Sequence, residues 1–268
     1  MTPSLPLLTR SQGAHIRGLF LDRRLRAQDG AFVVEGAHAL RDILTRYSPQ
    51  ILTIVTANGY LAREGQDDRL ARLVSSAQQY CCPDIQFSRL SDLDAPQGIL
   101  AVVRQPIWDE GELLKQSSIL GIFGEQLQDP ANVGAIIRTA AALNVSGLWL
   151  TPESADVYHP KVVRATSGML LALPIFTTKD VSGLIRQGCQ VFAAEVTGDK
   201  TVSIDEIHQV PRKLVLAFGN ESRGLSVQIR RQATTRFTIP LRRDVESLNV
   251  AAAVAIATFH FSRLPKAE

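Results

Sequence analysis

The chain carries only three cysteines, Cys81, Cys82 and Cys189, with neither a CxxC pair nor a Cys/His cluster among them. That spacing argues against a zinc site, so no metal is expected. An odd, small cysteine number suits a reducing compartment, and a cytoplasmic location is the expectation. The thiols should pack as small buried hydrophobes. Five histidines, His15, His38, His159, His208 and His260, show no ligand spacing and read as structural. No apolar run reaches the roughly 18–20 residues of a membrane span, and the first residues lack the apolar stretch of a secretory signal. Internal repeats and low-complexity tracts are missing as well. Neither sign of charge dominates: 29 Lys+Arg face 26 Asp+Glu, a net +3. Such a mildly basic balance is compatible with a nucleic-acid partner without demanding one.

What is present is an ordinary globular composition, 45% hydrophobic and 21% charged over 268 residues, enough for two domains. Residues 1–26 hold Arg10, Arg17, Arg23, Arg24 and Arg26 against Asp22 alone. Hydrophobic periodicity predicts helices at Ala14–Ala27, Glu35–Arg46 and Asp67–Gln79, and strands at Phe32–Val34, Ile51–Val55, Ile85–Phe87 and Ile99–Val103. Proline, glycine and acids then mark a boundary at Arg104–Glu112. The second half predicts strands at Ile119–Phe123, Gly147–Leu150, Val191–Ala194, Leu214–Phe218 and Phe237–Ile239. Helices are expected at Asn132–Leu143, Val181–Gln187, Leu225–Gln232 and Ser247–Phe261, with Lys161–Leu171 partly helical. This alternation implies an α/β fold whose C-terminal sheet is mainly parallel, with helices on both faces. The segmentation reads as 1–105, a linker at 106–117, and 118–268.

Three blocks place polar or glycine residues at borders between an apolar run and a helix-like run. They are Gln128–Ala140, Leu216–Ser226, and Ile239-Pro240-Leu241 with Ser247–Ala253. Such borders are where open α/β sheets bind ligands. In the first, Asn132 reads as a helix cap. Arg138 stands nearly two turns on, and Gly134 leaves room at the first turn. In the second, Gly219 and Gly224 permit close backbone approach and positive φ. The segment is not Gly-x-Gly-x-x-Gly with a spaced acid, and no Gly-Lys-Ser/Thr ends it, so neither an NAD site nor a P-loop is supported. Ser226 would cap the next helix. In the third, Ser247 reads as the cap of a helix rich in alanine, whose small residues suit internal packing or a dimer face.

Taken together, the blocks resemble the three motifs of the SpoU (TrmH-like) RNA 2′-O-ribose methyltransferases of the SPOUT superfamily. Asn132 and Arg138 match the first motif, Gly219, Glu221 and Gly224 the second, and Ile239, Pro240, Ser247, Leu248 and Asn249 the third. Arg164–Met169 resembles a family stretch between the first two motifs, and residues 14–104 more loosely resemble the family's ribosomal-protein-like RNA-binding domain. Arg243 stands where the third motif usually has glycine, and Ala251 where serine is frequent. The resemblance implies a deep C-terminal trefoil knot, S-adenosylmethionine as methyl donor, a homodimer formed through the C-terminal domain, and no membrane partner. Main-chain contacts to the donor map to Gly219, Ile239 and Leu248, with Glu221 and Gly224 in the same loop.

The implied reaction moves a methyl group from the donor's sulfonium to a ribose 2′-hydroxyl, in ribosomal RNA by preference and transfer RNA as the alternative. A guanidinium stays protonated in ordinary protein sites. Arg138 is therefore expected to stabilise the forming alkoxide and hold the adjacent phosphate, while Asn132, Ser247 and Asn249 position the ribose. Glu221 either organises the cofactor loop or acts as the base. RNA contacts are expected from Arg17, Arg23, Arg24, Arg26, Arg164, Arg223, Arg242 and Arg243. The rival functions are a catalytically silent RNA-binding or ribosome-assembly factor, and methylation of a base or protein side chain.

Overall fold

The computed structural model describes residues 5–47, 50–64, 77–196, 201–242 and 245–267. Contacts divide the chain into two compact units: Met1–Ile107 with Asp156–Leu171, and Trp108–Ala155 with Ala172–Glu268. Residues 156–171, read from the sequence as part of the C-terminal module, thus pack with the first unit.

In the first unit, α1 (Arg10–Leu21) starts at a reciprocal cap in which Thr9 and Gln12 satisfy each other's backbone N–H groups. It buries Gly13, Ile16, Leu19 and Phe20 at helical spacing. The single helix expected at Ala14–Ala27 is interrupted at Asp22, whose extended backbone ends α1 and whose carboxylate accepts from Arg24 N to cap α2 (Arg23–Asp29). Then come β1 (Ala31–Glu35), α3 (Ala37–Tyr47), β2 (Ile51–Ala57), α4 (Asn58–Glu64), β3 (Gln78–Cys82), α5 (Asp84–Leu90) and β4 (Ile99–Arg104), and later α8 (Pro160–Ala165). The sheet order is β1-β4-β2-β3, with β4 antiparallel to both neighbours and β2 parallel to β3. Ile85–Phe87 is therefore helical, not a strand. Pro83 and Asp84 start a turn that buries Phe87 and Leu90, three apart on one face. Of the helix expected at Asp67–Gln79, residues 67–76 lie outside the described residues, and Gln78 and Gln79 belong to β3.

Arg26 corrects an RNA-binding expectation. Its side chain is 2% exposed, with Nη2 2.6 Å from Asp156 Oδ2. Nη1 donates to the Leu19 and Phe20 carbonyls. A guanidinium so enclosed is a structural clamp, and it ties Asp156 to α1 and α2. Arg17 likewise donates to the carbonyls of Leu90 and Ser91, and Arg164 pairs with Asp92 at 3.2 Å. Arg23 and Arg24 lie exposed on α2. His159 caps α8 by accepting from Lys161 N, and burial, then nearby Arg26, holds its pKa below the ordinary imidazole value, as a neutral structural histidine requires.

The second unit runs α6 (Glu110–Leu114), β5 (Ile119–Gly124), α7 (Pro130–Ala142), β6 (Gly147–Leu150), β7 (Ile175–Thr177), α9 (Ser182–Arg186), β8 (Gln190–Ala194), β9 (Thr201–Ser203), β10 (Lys213–Phe218), α10 (Val227–Gln232), β11 (Thr235–Thr238) and α11 (Val250–Ser262). Its seven strands lie in the order β7-β6-β5-β10-β8-β11-β9, every pairing parallel among the described residues. Near-continuous burial of β5, β6, β8 and β10 is what a parallel sheet covered on both faces demands. Ile119, Phe123, Val191, Ala193, Val215 and Ala217 face Leu184 of α9 and Ile229 of α10. On the other face Phe261 of α11 meets the rings of Phe192 and Phe237 edge-on. The segment read as a linker is partly structured: Leu113 and Leu114 are buried, and Glu110 accepts from the Trp149 indole N–H at 2.7 Å. Cys82 and Cys189 are buried and Cys81 is half-buried; burial first, then the neighbouring Cys81, pushes the Cys82 thiol up to about 11.

Arg26→Ala leaves Asp156 without its buried partner. We expect a loss of about 3–5 kcal/mol of stability, read as a lower denaturant midpoint in equilibrium unfolding. An unchanged midpoint would show the clamp to be dispensable.

Candidate active site

Three turns leave the carboxyl ends of the parallel strands β5, β10 and β11 in the second unit and converge. The first follows β5. Asp129, rather than Asn132, caps α7: its carboxylate accepts from Ala131 N at 2.8 Å, and Pro130 takes the first helical position, where no N–H is needed. This frees the Asn132 amide, on the first turn and 8% exposed, to reach outside its own helix.

The second turn follows β10. Asn220 organises it, donating to Gln126 O at 2.9 Å and accepting from the amides of Ser222 and Arg223. Gly224 N closes the turn onto Asn220 O at 2.8 Å, with Gly224 at φ 66. Gly219 is required for a different reason: a Cβ there would lie 2.1 Å from the carbonyl carbon of Gly224. Ser226 caps α10, as the sequence suggests.

The third turn precedes α11, and Asn249 rather than Ser247 is its cap, accepting from Ala251 N and Ala252 N at 2.9 and 3.4 Å. Because the Asn249 oxygen faces those donors, its nitrogen points away, donating to Asn132 Oδ1 at 2.8 Å. Asn132 in turn donates to Glu221 Oε1 at 3.0 Å. One side chain from each turn thus enters a single directional chain, Asn249 to Asn132 to Glu221. Burial alone would push the Glu221 carboxyl up. The Asn132 amide and the backbone amides of Glu221, Asp129 and Gln128 together outweigh it and hold the pKa below the ordinary value. An ionised, hydrogen-bonded carboxylate at neutral pH is a poor proton acceptor and a good anchor.

Beside this chain lies a cavity of about 540 Å³. Of the residues singled out in the sequence, Gly219, Glu221, Arg223, Gly224, Ile239, Ser247, Leu248 and Asn249 line it. Asn132 stands behind Glu221 and Asn249 and is outside the lining. Arg138 is exposed on α7, also outside the lining, and among the described residues makes no hydrogen bond or ion pair. Arg242 is exposed, and Arg243 lies outside the described residues. Sequence reasoning missed Asn220, Glu195 and Arg230. Asn220 lies within the second block, between Gly219 and Glu221, and Glu195 directly follows β8, at the sheet end where ligands bind.

Gly219→Ala is expected to force the turn open. Overpacking of this kind costs about 1–3 kcal/mol or more, seen as a lower unfolding midpoint. An alanine variant of unchanged stability would contradict the close approach. Glu221, with its folded pKa depressed, stabilises above the unfolded value of 4.5 and loses that contribution as pH falls through the folded value. Glu221→Gln should therefore flatten the acid limb of stability against pH, below about pH 4.5, and a limb identical to the parent's would remove Glu221 from the network.

Comparisons with known proteins accord with this arrangement. Residues 120–259 match the SpoU rRNA Methylase family, and residues 16–101 match the MRM3-like substrate binding domain. A protein of Synechocystis sp. named as an uncharacterised tRNA/rRNA methyltransferase is 30% identical, over 98% of this chain and 96% of its own. The 23S rRNA (uridine(2479)-2′-O)-methyltransferase of Streptomyces viridochromogenes is 29% identical over 90% of this chain and 85% of its own. The crystal structure of an AdoMet-bound rRNA methyltransferase from Sinorhizobium meliloti superposes with a TM-score of 0.79 at 27% identity, covering 97% of each chain. With the family match spanning the whole three-turn site, the chain belongs to the SpoU rRNA methylase family.

Proposed function

We propose that the protein transfers a methyl group from S-adenosylmethionine to a ribose 2′-hydroxyl of RNA, ribosomal RNA by preference and transfer RNA as the second candidate. The observation that carries this reading is the hydrogen-bonded chain Asn249–Asn132–Glu221, which sets the three turns around one cavity in a chain of this family. The cavity fits the donor. Its volume falls in the range of small-molecule sites, roughly 300–1,000 Å³. Apolar walls from Phe218, Phe237, Ile239 and Leu248 stand beside two carboxylates, Glu195 and Glu221, suited to a positively charged ligand. When bound, the donor supplies an electrophilic methyl group on a sulfonium.

The residues of this chain do the rest. The backbone at Gly219, Ile239 and Leu248, with Glu221 and Gly224, would hold the donor. Glu221 serves as organiser, since its lowered pKa makes it a weak base. Asn249 and Ser247, at the exposed mouth, would orient the ribose, with Asn132 fixing Asn249 from behind. Arg138, exposed and without a hydrogen bond or ion pair among the described residues, is available to the RNA: its guanidinium would stabilise the developing alkoxide and grip the neighbouring phosphate, which takes the proton. Arg223 on the cavity rim and exposed Arg23, Arg24 and Arg242 would add phosphate contacts. The preference for ribosomal RNA rests on the 23S rRNA activity for which the Streptomyces relative is named, and the match of residues 16–101 supports reading the first unit as the RNA-binding module. The deep C-terminal knot of SPOUT enzymes and a homodimer complete the proposal. The exposed Ile256 and Phe259 of alanine-rich α11 would supply the dimer face.

Arg138→Ala should lower methyl transfer to ribosomal RNA roughly 100-fold or more while leaving the donor's Kd unchanged, measured separately by radiolabel transfer and calorimetry. Transfer at the parental rate would take Arg138 out of the chemistry. Mass spectrometry of nuclease-digested product that found the label on a base instead of a ribose would overturn the reaction itself.

A further inference from the structure

Strand β8 runs directly into Glu195, whose backbone N–H donates to Phe237 O at 2.9 Å and so pins the residue to β11. The side chain enters the cavity wall and is 7% exposed. Its two oxygens are treated differently. Oε2 accepts from Thr201 Oγ1 at 3.3 Å and lies 3.7 Å from Arg236 Nη1. Oε1 is buried and, among the described residues, has no hydrogen-bond partner; Arg230 Nε stands 4.0 Å away, beyond hydrogen-bond reach. A buried carboxylate oxygen without a donor is costly to maintain unless something else supplies one. Arg230 also lines the cavity, is 42% exposed, and among the described residues has no hydrogen bond to its guanidinium.

Among the described residues, one wall therefore presents an acceptor lacking a donor and, 4.0 Å off, a fork of donors lacking an acceptor. That juxtaposition complements an amino-acid zwitterion, in which an ammonium and a carboxylate branch from one α-carbon. We propose that Glu195 and Arg230 form the subsite for the amino-acid end of the methyl donor, Glu195 Oε1 accepting from its α-ammonium and Arg230 donating to its α-carboxylate. The two side chains act as a matched pair: the loose 4.0 Å separation keeps each near its counter-charge without consuming the hydrogen bonds the ligand needs. Thr201 and Arg236 hold the second carboxylate oxygen and so orient the first. This rests on the methyl-transfer reading and extends it to a ligand end that the three sequence motifs do not address.

Calorimetry on the full-length chain separates the possibilities. The probes are S-adenosylmethionine, S-adenosylhomocysteine, which keeps the amino-acid end without the sulfonium, and 5′-methylthioadenosine, which lacks that end. Glu195→Gln and Arg230→Gln should each weaken both amino-acid-bearing ligands roughly 10- to 100-fold and leave 5′-methylthioadenosine unchanged, the last also showing that the cavity is still folded. Parallel weakening of 5′-methylthioadenosine would assign Glu195 to the nucleoside or to the wall alone and overturn the subsite. So would unchanged affinity for all three. If the parent chain binds none of them, the methyl-transfer reading fails and the subsite with it.

Discussion

The second unit depends on a run of two side-chain hydrogen bonds. Asn249 gives its oxygen to the start of α11 and its nitrogen to Asn132, and Asn132 gives its nitrogen to Glu221. Each amide has one acceptor and one donor end, so satisfying the helix cap at one terminus dictates direction all the way to the carboxylate. A salt bridge across the same gap would tolerate many geometries. A chain of oriented amides tolerates few, and in a partly buried setting each link is costly to leave unmade. The ionised state of Glu221 is a consequence: the donors aimed at it outweigh the cost of its burial.

Around that chain the parallel sheet does the placing. β10, β8 and β11 are neighbours, so the loops leaving their carboxyl ends open onto one space. Gly219 lets the loop after β10 fold back until its backbone touches that of Gly224, which turns a strand end into a cavity wall. The wall then carries charge of both signs: Glu221 and Glu195 against Arg223 and Arg230. A cavity so furnished suits a ligand that joins an apolar portion to charged groups.

The arginines illustrate how little a charge count says by itself. Arg26, Arg17 and Arg164 look from their positions like a basic face, yet they hold Asp156, two carbonyls and Asp92. Burial converts a potential RNA contact into a clamp, because an enclosed guanidinium must find acceptors nearby. Arg138, Arg24 and Arg223 remain exposed and can meet an external phosphate.

The sequence by itself determined the α/β character, five of the seven strands of the second unit, and several of the residues that line the cavity. Those features are written in short apolar runs ending at Gly219, Ile239 and the Asn132 block, where local pattern and tertiary role coincide. It erred where the signal was short or shared. Three-residue β7 and β9 are below the length at which alternation can be read. α5 looked like a strand because only Phe87 and Leu90 mark its inward face. Asn132 and Ser247 read as caps from the sequence, since any Asn or Ser before a helix qualifies, whereas the fold gives the caps to Asp129 and Asn249 and so releases Asn132 to bridge the turns. Which arginine is buried, which oxygen of Glu195 lacks a donor, and the order of strands that joins three distant loops were decided only by tertiary structure, because each depends on neighbours tens of residues away along the chain.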